Sequence, residues 1–227
     1  MGVDSRAVRQ LLRTARCGAL GTLSLAVPGH PFVSLVNFVP DFRLRPVFLL
    51  SGLAEHTRNL RVDARASLML AEGGTHPLEQ ARLTLLGEVA GFEPDEADEA
   101  ERRRFLRYSP ESADYLQLGD FRFFRLEPVR LRFIGGFARM GWSDPLVPAA
   151  WLTEAEEGGL RNELARLAPV GVGVLGLDEE GLDVRIAGAI RRLPLSPRGE
   201  GLQALRAAAQ AALATLEPVP PDLAGLA

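Results

Sequence analysis

Lysine is absent from this chain: all 26 basic residues are arginines. A Schiff-base mechanism is thereby excluded, and an anion must be held by arginine, histidine, a hydroxyl or a backbone N–H. Cysteine is nearly absent too. Cys17 stands alone, which rules out an internal disulfide, and the expectation for it is a small buried residue. Three histidines, none at metal spacing from another, and the lack of a G-x-S-x-G elbow leave no zinc site and no hydrolase triad in the sequence. No apolar run reaches eighteen residues, and no charged segment leads into a short apolar one. These absences predict a cytoplasmic protein without a membrane partner. A basic stripe is also missing. With a net charge of −3 and a pI near 5.7, the chain does not have the profile of a nucleic-acid binder, which needs a basic face to replace counterions. The cluster Arg102-Arg103-Arg104 lies among Asp95, Glu96, Asp98, Glu99 and Glu101, the pattern of a solvated helix.

What is present is ordinary globular composition, 47% apolar and 24% charged, enough for one domain of about 150 residues with a smaller one, or for a single large domain. Asp4-Ser5 before Val8, Leu11 and Leu12 predicts a capped amphipathic helix. Cys17 to Val27 and Phe32 to Val39 read as a hairpin across Pro28-Gly29, and Asp41 to Pro46 turns the chain into a central strand at Val47. Ala66 to Ala71 and Gln80 to Phe92 are strands, the second apolar on one face through Leu83, Leu85 and Val89. A charged helix over Glu93 to Tyr108 precedes two strands, Phe121 to Leu126 and Val129 to Phe137, broken at Glu127-Pro128. About seven closely spaced strands with antiparallel connections predict a closed barrel. The aperiodic Gly141 to Pro148 marks a boundary between a domain over 1–142 and a small α/β domain over 150–217. The latter has a Thr153/Glu156 capping box, a hairpin of Val170 to Leu177 with Leu182 to Ile190, and an Ala-rich closing helix.

One stretch joins a strand end to a helix start: Ser51-Gly-Leu-Ala-Glu-His-Thr-Arg-Asn-Leu60. Backbone N–H groups unpaired at a helix start, beside hydroxyl, amide and guanidinium groups, make a seat for a phosphate or carboxylate. The same residues serve equally well as a strand-to-helix connection. Arg82 and Thr84 share one face of their strand, placed to aim two donors at a ligand or simply to meet solvent.

These motifs occur in order with Ala81-Arg-Leu-Thr-Leu-Leu-Gly87, Phe124-Arg-Leu-Glu-Pro128 and Phe133-Ile-Gly-Gly-Phe137. Residues 5–142 so arranged resemble the haem-utilisation (HugZ-like) branch of the pyridoxamine 5'-phosphate oxidase-like split barrels. Gly176-Leu-Asp-Glu-Glu-Gly-Leu-Asp-Val-Arg185 is similar to a hairpin in the small C-terminal domain of that branch. The resemblance implies an α+β fold: a six-stranded antiparallel split β-barrel with flanking helices, plus a small α/β domain. It implies a homodimer with FMN or haem at the subunit interface, hence a flavin- or haem-linked oxidoreductase, with haem iron use as the role the branch suggests. The alternative is a cofactor carrier of the same fold without the chemistry. The contacts it implies for the cofactor's anionic groups are Ser51, His56, Thr57, Arg58, Asn59, Arg82 and Thr84, with His56 also a candidate iron ligand. Two departures stand out. Where flavin oxidases set basic residues against the phosphate, this chain has Ala54, Glu55 and His56. Where relatives carry a His-Met-Asn-x-Asp-His run, it has Leu160-Arg-Asn-Glu-Leu-Ala165 and retains only Asn162. The dimer is expected to cover Leu53, Leu60 and Phe137.

Overall fold

In the computed structural model, which describes residues 3–72, 79–92, 99–135, 140–146 and 152–219, the first helix α1 (Ser5–Thr14) begins on its predicted cap. The Asp4 carboxylate accepts from the N–H groups of Arg6 and Ala7, both at 3.1 Å, and Val8, Leu11 and Leu12 form the buried stripe. The chain divides into two compact units, Met1–Pro148 and Ala149–Ala227.

The first unit is an antiparallel sheet curled into a half-barrel. Its strands are β1 (Cys17–Leu23), β2 (Pro31–Asn37), β3 (Val39–Pro40), β4 (Pro46–Ser51), β5 (Arg65–Ala71), β6 (Ala81–Phe92), β7 (Phe121–Gly135) and β8 (Met140–Ser143). They pair in the order β2-β1-β5-β6-β7-β4-β3, with β8 on β7. Six of them have six residues or more, and these make the predicted α+β split barrel; β3 and β8 are short additions at its margins. Helices α2 (Glu55–Val62), α3 (Glu99–Tyr108) and α4 (Ser112–Gln117) flank the sheet. Inward side chains of alternate strand positions, among them Leu20, Phe48, Leu68, Leu83, Leu85, Leu126 and Leu131, are fully buried. Each contributes about 1.5–3 kcal/mol by leaving water.

Four sequence expectations change here. The break at Glu127-Pro128 does not occur: β7 runs through it, because the ladder shifts register between Leu86 and Gly87 opposite Pro128. A proline lacks the N–H that a regular ladder would need, and Gly87 lets the β7 backbone approach where any Cβ would lie 2.1 Å from the Glu127 carbonyl oxygen. The strand at Val47 is not central; β6 and β7 are, and β4 has only the two-residue β3 outside it. The sheet path is open, with no ladder joining β2 to β3 among the described residues. Cys17 is exposed, since alternation along β1 sets it with Ala19 and Gly21 on the face opposite Leu20 and Thr22.

A buried ionic cluster fastens α3 to the barrel. Asp41, whose side chain is wholly buried, receives Arg45 Nε at 2.6 Å; Arg45 also reaches Glu127 at 2.6 Å, and Arg125 pairs with Glu101. Burial, followed by the charge of Asp41, pushes the Glu101 carboxyl above its ordinary value of 4.5 despite Arg125 and Arg45.

In the second unit, α5 (Glu154–Leu167) starts on the Thr153/Glu156 capping box. It is followed by β9 (Val172–Asp178), β10 (Gly181–Ile186), β11 (Ala189–Pro194) and α6 (Leu202–Leu213). The sequence reading ran one strand through Leu182 to Ile190. In fact Ala187 and Gly188, with φ of 47° and 77°, form a two-residue turn into β11, and the sheet has the order β11-β10-β9. Arg192 of β11 is buried between Asp178 and Asp183, at 2.5 and 3.0 Å, and its guanidinium lies where a Cβ on Gly181 would go.

Gly87→Ala is expected to cost about 1–3 kcal/mol, the range for forcing atoms into a packed position, and to lower the urea midpoint without changing the slope. A second expectation concerns pH. A carboxyl whose folded pKa is raised contributes stability that is full below its unfolded pKa and is lost as pH rises through the folded value. Glu101→Gln should therefore gain on wild type as pH rises from 4 to 7, read from paired thermal melts; a difference constant with pH would contradict it.

Candidate functional site

The 51–60 stretch forms a tight turn leading into α2. Ser51 spends its hydroxyl on the turn, donating to Asp120 at 2.5 Å and accepting from Leu53 N–H at 3.1 Å, while Gly52 N–H donates to the Asp120 carbonyl. Asn59 is likewise committed to the fold. Buried to 1% exposure, it accepts from Leu25 N–H at 2.8 Å and donates to Thr22 Oγ1 at 3.0 Å, tying α2 to β1. Both side chains are occupied, and Asp120 puts a carboxylate at the place where an anion was expected to sit.

His56, Thr57 and Arg58 differ from these two. Arg58 is exposed, is the first residue to close a helical hydrogen bond, to Ala54 at 3.1 Å, and makes no ion pair with Glu55 among the described residues. Thr57 is fully buried, and its hydroxyl has no partner among the described residues. His56 is half-buried, with Nδ1 3.0 Å from Ser34 Oγ on β2. Burial holds its pKa below the ordinary 6.5, so the ring is neutral at pH 7. Of the other histidines, His30 is exposed in the β1–β2 turn, and His76 lies outside the described residues. Glu55 suits the positive end of the helix dipole, and its charge opposes a phosphate at the same place.

Arg82 and Thr84 are not beside this helix. Register places Thr84 across from Met69 and Arg132, and Met69 across from Ala19, all on the outer face of the sheet. Ser34, against which His56 rests, pairs with Leu20, which pairs with Leu68 on the inner face. One chain thus carries the two sets of predicted contacts on opposite faces of a sheet. Arg82 makes no ion pair among the described residues, and its Nε is buried without an acceptor. Arg132, one strand over, stacks on Trp142 at 5.6 Å.

The outer face also holds what the sequence reading did not find. Val33, Leu35, Met69, Val129, Met140 and Trp142 are all at least 46% exposed. Beside them is a cavity of about 550 Å³, floored by Gly21 and Ser67, walled by Val33, Leu86 and Val129, and rimmed by Arg65 and Glu88. A Cβ on Gly21 would fall 2.6 Å from Ser67 Oγ, so the floor depends on glycine. Its signal in the sequence was the apolar character of both faces of residues 31–37, where a half-solvated strand would be polar on one. Of the three apolar residues expected to need cover, Leu53 is 70% exposed, Leu60 is part of the core through the inward stripe of α2, and Phe137 lies outside the described residues.

Residues 4–145 match the CREG β-barrel family. The non-canonical haem oxygenase HOZ, chloroplastic, of Arabidopsis thaliana is 35% identical over 134 residues, 58% of this chain; the chain spans about 40% of that relative's length. A solved protein of unknown function from Agrobacterium tumefaciens strain C58 is 32% identical with a TM-score of 0.66, covering 93% of this chain and 95% of the other. A haem-binding protein from Mycobacterium smegmatis is 26% identical with a TM-score of 0.59, covering 94% and 97%. Among the described residues no helix is long and apolar enough to cross a membrane.

The contrast between Asn59 and Arg58 is testable on the protein without ligand. Asn59→Ala leaves the partly buried Leu25 N–H and the buried Thr22 hydroxyl without this partner and should cost about 1–3 kcal/mol, whereas Arg58→Ala should stay within about 0.5 kcal/mol of wild type in urea denaturation.

Proposed function

The chain belongs to the CREG β-barrel family, and on that footing we propose that it is a homodimeric haem-binding protein whose ligand lies between two copies. The observation that carries this reading is the separation of the polar contacts. Arg82 and Thr84 are on the outer face of one sheet, and His56, Thr57 and Arg58 are on the far side of it, so the two sets make one site only if a second copy supplies one of them. A symmetric dimer formed around the β2 margin, where α2 packs on β1 and β2, would bring the two sets together and cover Val33 and Leu35 of the exposed stripe.

Haem is favoured over FMN by chemistry at both sets. The outer face is apolar with guanidinium groups at its margins, which suits a planar apolar ring bearing two carboxylates. Arg82, which makes no ion pair among the described residues, fits a carboxylate, and Thr84 two residues on along the same face offers a hydroxyl. At the α2 start, Glu55 and Asp120 weigh against a phosphate dianion. The haem-binding protein of M. smegmatis and the A. thaliana haem oxygenase support the same choice. Haem iron, when bound, supplies the oxygen chemistry; this chain's residues bind the carboxylates, exclude water from the ring and orient it. A specific observation favours a carrier as the second reading. The segment where relatives are expected to place a ligand-bearing run is core here, with Leu160 and Leu164 buried in α5.

Haemin added to the purified protein should produce a Soret band, and FMN should produce no bound band near 450 nm. Arg82→Ala should weaken haem binding by about 1.5–3 kcal/mol, the range for a hydrogen bond to a charged group. Val33→Glu and Leu35→Glu should convert a dimer into a 24.6 kDa species in light scattering and weaken binding together with it. A monomeric wild type, or full affinity in those monomers, would overturn the shared site. Supplying a reductant and oxygen then separates the two readings: loss of the Soret band with formation of an open tetrapyrrole marks an oxygenase, and its persistence marks a carrier.

A further inference from the structure

We infer that His56 is the residue through which this chain ligates haem iron, with Ser34 as the positioning residue that fixes its ring; this rests on the haem-binding reading above. The geometry is that of an imidazole already held by one nitrogen. Nδ1 lies 3.0 Å from Ser34 Oγ, a contact between α2 and β2 across 22 residues of sequence. Nε2 has no hydrogen-bond partner among the described residues, so its lone pair is available whenever Nδ1 carries the proton and donates it to Ser34. Metal-bound histidines are fixed in this way, with the second nitrogen donating to a neighbour that sets the tautomer and raises the basicity of the ligating one.

The rest of the molecule offers weaker ligands. His30 is exposed in a hairpin turn with its Nδ1 3.3 Å from the Pro28 carbonyl, a contact within the turn. Cys17, Met69 and Met140 are on the outer face, but no neighbouring group orients a thiol or thioether there among the described residues. His56 also lies one turn before Asn59, whose two hydrogen bonds to Leu25 and Thr22 pin α2 to the barrel. The imidazole is therefore mounted on a fixed element, as a ligand must be.

The test uses the full chain reconstituted with haemin and reads the axial ligand by electron paramagnetic resonance and magnetic circular dichroism. Wild type should show a histidine signature that His56→Ala and His56→Gln lose and added imidazole restores in the alanine variant. His30→Ala and His76→Ala should keep it. The glutamine variant retains a polar partner for Ser34, and circular dichroism of each protein without haem separates loss of the ligand from loss of fold. Ser34→Ala should keep the histidine signature and move the iron reduction potential to a more positive value, with Ser34→Thr returning towards wild type. A histidine signature that survives in both His56 variants overturns the inference, as does a thiolate or thioether signature in wild type. Absence of any Soret band in wild type overturns the haem reading itself, and this inference with it.

Discussion

A glycine facing a proline across the longest ladder governs the shape of the barrel. Pro128 has no N–H to give β6, and Gly87 has no Cβ to hold the β7 backbone away, so the strands slip by one place and pair again on either side. A twelve-residue and a fifteen-residue strand, straight and fully paired, would make a long flat ribbon. Bent at this bulge they curl the sheet, enclose Leu83, Leu85, Leu126 and Leu131, and bring β2 round to within reach of β4. Helix α2 packs on β1 and β2 at that opening, which is how the 51–60 stretch comes to rest on the barrel.

Once the sheet is curled, the period of two in its strands does the sorting. The inner face is filled: most of its side chains are apolar, and of the polar groups that enter from α2, Asn59 finds Leu25 and Thr22, while the buried Thr57 hydroxyl has no partner among the described residues. The outer face is left with apolar side chains in water, an arginine that makes no ion pair among the described residues, and a cavity over glycine and serine. An inner face whose apolar side chains are covered and an outer one whose are not differ in what they ask of the surroundings. This asymmetry, rather than any catalytic constellation, is the main functional information in the fold.

The fold was legible because its signals are local. Asp4 caps where it should, Ser51-Gly52 ends a strand, the alternation in 81–92 names its own core face, and a helix starts within the 51–60 stretch as read. What was missed depends on partners distant in sequence. Pro128 looks like a strand break until Gly87 is set opposite it, and β11 was hidden because Ala187-Gly188 takes a positive-φ turn that alanine rarely advertises. The candidate contacts were harder still. Ser51 and Asn59 have the right side chains for an anion, but nothing in the sequence says that Asp120, Thr22 and Leu25 will claim them first. That Arg82 and Thr84 lie on the face opposite to Ser34 follows from register, which a single strand does not reveal.

The small sheet of the second unit checks its own alignment. In the barrel, a strand displaced by one residue would expose leucines and bury polar side chains, an error spread over many weak contacts. In β9-β10-β11 the same displacement would turn one guanidinium, that of Arg192, away from both Asp178 and Asp183 while it remained out of water, and would leave two carboxylates without their cation. An unpaired buried charge is costly enough to act as a veto on its own. The hairpin therefore has a password as well as a pattern: a misaligned chain is penalised at one position in addition to its packing.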